Sequence, residues 1–224
     1  MKTSSPSPAR AAVLLSLSIL LSLASIGCRD KVAECKKTCA DLEKEHTAKC
    51  VGPGADSCKL AVTRSRGLGR LFADAFADRP ALIDKSGNLT IKISGCPNGC
   101  GLHHVAGLGF QGGLRKVDGK AVPQYFVLAG GGVEGERVHF GKVVAKVPAR
   151  RMAEVVERLV LRYDAEHHDG EAMAAFLRRV MPTLKASLAD LEALDEQSAT
   201  ADDYIDLGDT TAFVPEVGEG ECAV

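Results

Sequence analysis

Cys96 and Cys100 flank only Pro97, Asn98 and Gly99 in the stretch ISGCPNGCGLHHVAGLGFQGG, residues 93–113. Upstream, Cys50 and Cys58 make a second close pair, with seven residues between them. Four thiols in two pairs suit three chemistries. Four thiolates hold an iron–sulfur cubane. The same number binds zinc tetrahedrally. In an oxidising compartment each pair closes as a disulfide. Spacing alone leaves the three readings open.

The chain has eight cysteines in all. Cys35 and Cys39 lie four apart in KVAECKKTCADLEKEHTAKC, a charged stretch of helical character, so they share one helix face. If the chain is exported they read as a disulfide staple; if it is cytosolic, as free thiols or metal ligands. Cys222 reads as an exposed tail thiol. His103 and His104 are adjacent, and on a strand or extended loop they point opposite ways, so at most one faces a site. A satisfied or surface histidine is one reading and proton delivery the other. Gly130–Gly132 has no Lys-Ser/Thr after it and opens no helix, so it is read as a strand-end turn, not a phosphate cradle.

The elements that must position these side chains show in the patterning. Leu89 to Ser94 alternates like a strand and delivers Cys96 and Cys100 onto a glycine turn. Cys58 opens a segment in which Leu60, Leu68, Leu71, Phe72, Ala75 and Phe76 recur at helical spacing. That predicts a helix with Cys58 at its N-terminus, where unpaired N–H groups favour a thiolate, and with Pro80 closing the segment. Met152, Val155, Val156, Leu159, Val160 and Tyr163 predict an amphipathic helix after Pro148, broken by Gly170. Met173, Phe176, Leu177 and Val180 predict a second, ending near Pro182. Leu184, Leu188, Leu191 and Leu194 predict a third. Their apolar stripes are core. Many of the 23 glycines fall between Gly95 and Gly141, which marks turns and strands. The fold class is α+β: a mixed sheet backed by helices. The acidic tail from Asp202 to Glu221 is expected to be loosely held.

Lysine and arginine number 28 against 29 acidic residues, a net charge of −1, so there is no basic excess for nucleic acid. The absence of Trp and scarcity of aromatics argue against base-stacking platforms. At the N-terminus, Lys2 and Arg10 precede the apolar run Ala11–Ala24, of signal-peptide length and short for a membrane span. Ser25-Ile26-Gly27-Cys28 follows, resembling a lipoprotein processing site except that Ser25 stands where Leu is usual. Lipidated Cys28 would anchor the chain to a membrane on the exported side. An uncleaved anchor, or a start codon assigned too early with a cytoplasmic chain, are the other readings.

The loop ISGCPNGCGLHHVAGLGFQGG resembles the cluster loop of the siroheme-dependent nitrite and sulfite reductases, which carry a Cys-x3-Cys pair in a G-C-P-N-x-C setting. GPGADSCKLAVTRSRGL is similar to that family's upstream stretch, where a Cys-x5-Cys pair opens a helix. YFVLAGGG, GKVVAKVPAR and the ending GEGECAV resemble later segments. The likeness covers roughly residues 48–180. It implies a nitrite/sulfite reductase-like 4Fe-4S domain at 48–181; the residues around it read as a signal segment at 1–27, a Cys-containing charged linker at 28–47 and a C-terminal helix and acidic tail at 182–224. Cys50, Cys58, Cys96 and Cys100 would ligate a 4Fe-4S cluster, and Cys100 would also ligate siroheme iron. Asn98 and Gly99 would let the backbone approach both groups closely. Siroheme is a polyanion. Among Lys59, Arg64, Arg66, Arg70, Lys92, Arg115 and Lys116, the nominated partners for its carboxylates are Arg64 and Arg66.

Two departures qualify the likeness. The family's spacing places a cysteine where this chain has Gly52, so Cys50 must serve from two residues further away. The family also binds siroheme between two related halves, and only one is present, which implies a second half or subunit and an electron donor that the sequence does not name. The functional expectation is oxidoreductase chemistry of the nitrite/sulfite reductase type. The alternatives are a cluster-binding electron-transfer remnant without catalysis, and an exported, disulfide-stapled lipoprotein lacking cofactors.

Overall fold

The Asp118-Gly119 pair turns the longest hairpin of the fold. Both residues have positive φ, 49° and 71°, the conformation a two-residue hairpin turn demands. The turn sets Val117 opposite Lys120, and the register runs unbroken to Leu108 opposite Ala129. The computed structural model describes residues 54–215. The signal segment, the 28–47 linker, Cys28, Cys35, Cys39, Cys50, Gly52 and Cys222 lie outside the described residues.

Strand β1 (Ile91–Ser94) pairs in parallel with β2 (Leu108–Val117), β2 pairs antiparallel with β3 (Lys120–Ala129), and β3 antiparallel with β6 (Lys142–Pro148). The order is β1-β2-β3-β6, a mixed sheet as the pattern predicted. A small separate hairpin joins β4 (Gly132–Glu134) to β5 (Arg137–His139). Parallel strands need a crossover connection. Between β1 and β2 it is the segment 95–107, which carries Cys96 and Cys100 and whose only helical piece is a 3-10 turn at His103–Val105.

Helices α1 (Ser65–Phe76), α2 (Pro80–Asp84), α3 (Met152–Glu166), α4 (Met173–Arg179), α5 (Met181–Ser187) and α6 (Ala189–Glu192) supply the rest of the core. Leu68 and Phe72, one turn apart, bury one stripe of α1, and the Phe72 ring lies 5.4 Å from Phe110 of β2. Tyr163 of α3 meets Phe176 of α4 edge-on at 5.4 Å. Two boundaries differ from expectation. Pro80 starts α2 rather than closing a segment, because a first-turn residue has no intrahelical N–H bond to lose. Pro182 does the same at the start of α5. The third predicted helix divides into α5 and α6 at Leu188.

The tail departs most from expectation. Up to Pro215 it packs on the domain. Thr200 and Asp203 close a capping box on a 3-10 turn at Ala201–Tyr204, and Asp203, Asp206 and Leu207 are buried. Acidic composition suggested a solvated segment, but its carboxylates are occupied by local N–H groups. Leu184, Leu188, Leu191 and Leu207 join the same core as the sheet. Among the described residues no helix is long and apolar enough to cross a membrane.

Candidate functional site

The two cysteine-bearing loops are clamped together through backbone. The Gly95 carbonyl accepts the N–H of Val62 at 2.9 Å and of Thr63 at 3.1 Å. The loop 54–63 is itself folded by Cys58 N–H to Gly54 O at 3.0 Å and Ala61 N–H to Cys58 O at 3.1 Å. Glycine is required where the loops meet β2: a Cβ on Gly112 would stand 2.1 Å from Thr63 Oγ1 and 2.4 Å from Gly95 O.

Cys58 therefore sits in a turn and not at a helix N-terminus. Helix α1 begins only at Ser65, because the clamp commits residues 58–63 to the loop. The residue at the helix start is Arg64, whose backbone N–H donates to Asp206 Oδ2 at 2.7 Å. Cys58 is half-buried, Cys96 buried and Cys100 exposed, and no disulfide joins them to one another. Cys58 lines a cleft of about 660 Å³ whose opposite wall is tail residues Asp206, Asp209 and Thr211–Val214.

The turn after β1 is held by Ser94. Its Oγ accepts the Gly101 N–H at 3.0 Å and lies 2.8 Å from His103 Nδ1. Asn98 is exposed, and Gly99, at φ +74°, packs against the His104 ring. His103 is fully buried and His104 half-buried. Their rings lie side by side, centroids 3.9 Å apart and tilted by 33°, instead of pointing opposite ways, because a 3-10 turn replaces the extended backbone expected from the sequence. Burial and, next, His104 push the His103 pKa down to about 4, against a smaller opposing pull from Gln111. The ring is neutral at pH 7, so no imidazolium stands ready there, and it keeps one N–H and one acceptor nitrogen. Its Nε2 has no hydrogen-bond partner among the described residues.

The nominated cations divide. Arg64 is spent on Asp56 at 3.3 Å and Asp209 at 2.8 Å. Arg66 is exposed on α1. Arg115 is a staple, bonding Gln124 Oε1 at 2.7 Å and Glu192 O at 2.8 Å. Among the described residues no three His, Cys, Asp or Glu side chains are gathered as a metal site needs. The donor chemistry and the clamped loops fit a thiolate-bound cluster; the side-chain positions of Cys58, Cys96 and Cys100 do not form one. Sequence reasoning missed two contributors. Ser94 closes a strand and carries no motif signal. Asp206 lies in an acidic stretch with nothing to set it apart from its neighbours.

The chain is similar to sulfite reductases. It is 28% identical over 141 residues to "Sulfite reductase (ferredoxin) 1" of Mycolicibacterium paratuberculosis, covering 61% of this chain and 25% of that protein. It is 31% identical over 148 residues to a sulfite reductase (NADPH) hemoprotein beta-component of Chromohalobacter salexigens, covering 63% and 24%. The fold matches that of the Mycobacterium tuberculosis NirA protein with a TM-score of 0.52 at 23% identity, over 60% of this chain and 26% of that one. No family model matches. The chain spans about a quarter of the length of these relatives.

Proposed function

We propose that the nitrite/sulfite reductase-like partial domain carried by this chain is a redox module of an oxidoreductase that reduces an oxyanion of the nitrite or sulfite class. The backbone clamp from Val62 and Thr63 to Gly95 carries this reading, since it holds the Cys58 loop against the Cys96–Cys100 turn. Cys58, Cys96 and Cys100, with Cys50, would hold a 4Fe-4S cluster, and Cys100 would also ligate siroheme. Bound there, the cluster would store and pass single electrons and the siroheme would take the oxyanion. The chain's own groups present thiols on closely packed glycine loops and keep a neutral imidazole beneath them. A second reductase half or subunit would complete the siroheme site, as the family resemblance implies. Cys28 would anchor the module to a membrane on the exported side.

The second reading is an exported, cofactor-free module with paired thiols. The Arg64 guanidinium, spent on two carboxylates, and the ungathered thiols favour its cofactor-free part. One experiment divides the two. The full chain is purified anaerobically from siroheme-producing cells and assayed for absorption, iron and acid-labile sulfide. Siroheme bands with matching iron and sulfide uphold the first reading. A colourless, iron-free protein with paired thiols upholds the second.

A further inference from the structure

We propose that Ser94 and His103 act together as a positioning pair that fixes where the Cys100 sulfur is presented. The proposal rests on reading the Cys96–Cys100 turn as the thiolate-donating turn. Ser94 is the last residue of β1, only 2% exposed, and held in the ladder opposite Gln111. His103 is 0% exposed. Its backbone is seated on Gly109 so closely that a Cβ there would stand 2.0 Å from His103 O. Both residues are therefore fixed to the sheet.

The Ser94 hydroxyl joins them. A hydroxyl has one proton and two lone pairs. One lone pair takes the Gly101 N–H, so the residue directly after Cys100 is tied to the sheet. His103 Nδ1, at 2.8 Å, takes the hydroxyl proton or gives its own to the second lone pair. The first arrangement needs an unprotonated Nδ1. Buried from water, such bonds hold geometry more firmly than exposed ones.

The turn needs that anchorage. Gly99 stands at φ +74° and Leu102 at φ +55°, the second a branched side chain in the left-handed region. Leu102 is 59% exposed, so packing does not hold it there. The exposed Cys100 lies between this unstrained glycine and the strained Leu102. Without the tie at Gly101, the turn around its sulfur is left to the Leu102 N–H to Gly99 O bond at 2.7 Å and loses its link to Ser94.

The test uses the full chain and two readouts. The first is native-state amide exchange by NMR at Gly101, with Val127 in the middle of β3 as internal reference. The second is alkylation of Cys100 relative to Cys58 by iodoacetamide, read by mass spectrometry. Ser94→Ala and His103→Ala should each speed Gly101 exchange by roughly fivefold or more relative to Val127. They should shift the Cys100-to-Cys58 alkylation ratio in step. His103→Asn keeps a polar atom near the Nδ1 position and should stay within roughly twofold of the parent protein on both readouts. Gly101 and Val127 accelerating together, or neither moving, would reduce the pair to ordinary packing and overturn the proposal. So would faster Gly101 exchange with an unchanged alkylation ratio, or a His103→Asn variant that behaves as His103→Ala does. If the parent protein holds no iron while the variants behave as expected, the cluster reading fails and the positioning pair stands.

Discussion

The carboxylate of Asp206 accepts the backbone N–H of Arg64 at 2.7 Å, across 142 residues of chain. Its other oxygen accepts the N–H of Leu207 at 2.8 Å. Helix α1 has no side-chain cap of its own, so a carboxylate from the tail satisfies the donor at its start and complements its dipole.

Replacing Asp206 tests that link. Asp206→Ala leaves the part-buried Arg64 N–H without its carboxylate and should cost about 1–3 kcal/mol in urea unfolding. Burial raises the Asp206 pKa above the usual carboxylate range, against the Arg64 and Leu207 N–H groups. A raised acid pKa means its charge weakens the fold as pH rises, so Asp206 does not drive acid unfolding. Asp206→Asn keeps an acceptor without the charge and should lose less than Asp206→Ala. Equal losses would put the effect in packing alone.

The His103 ring sets a pH window. Its folded pKa of about 4 lies below the ordinary 6.5, so its contribution is complete above pH 6.5 and is lost as pH falls from 6.5 towards 4. The expected loss is on the order of 2–3 kcal/mol. Denaturation at a series of pH values should show it, and His103→Asn should flatten that limb. A separate limb belongs to Glu171, which the Arg179 guanidinium at 2.6 Å holds at about 2. Its contribution is lost between pH 4.5 and 2, so Glu171→Gln should change only the lower limb.

Gly112→Ala should separate the two cysteine loops. The added methyl would meet Thr63 Oγ1 and the Gly95 carbonyl, and backbone cannot swing away as a flexible side chain can. Overpacking of this kind costs about 1–3 kcal/mol. The specific readout is hydrogen exchange at Val62 and Thr63, which should quicken more than in β3. Uniform exchange would show that the clamp is not the part displaced.

Tyr125→Phe should be neutral or stabilising. The Tyr125 hydroxyl is fully buried with no hydrogen-bond partner among the described residues, and burial holds its pKa well above the ordinary value. Deleting an unsatisfied hydroxyl removes a desolvation cost. A thermal midpoint that drops by more than a few degrees would mean the hydroxyl has a partner after all.

Much of this fold was legible. Leu89–Ser94 alternates because Leu89, Ile91 and Ile93 all pack on the core, and the α3 stripe from Met152 to Tyr163 is a simple consequence of helical period. The Asp118-Gly119 pair is a hairpin signal in the sequence itself, and it fixes the longest register in the sheet. Cys58 was misplaced for a physical reason. The helical spacing of Leu60 and Leu68 ran across a loop whose backbone is committed to Gly95, and no periodicity records a hydrogen bond made between distant segments. The tail was misjudged the same way. Composition gives Asp206 as one more surface acid, and only the tertiary contact with Arg64 makes it buried.

The Arg64–Asp206 contact also has a consequence for synthesis. A ribosome releases residue 64 long before residue 206, so α1 cannot complete its start until nearly the whole described chain has emerged. Leu207 likewise meets Gly67 only then. Contacts of such separation are slow to close. The seam between the start of α1 and the tail is therefore the last part of this fold to close.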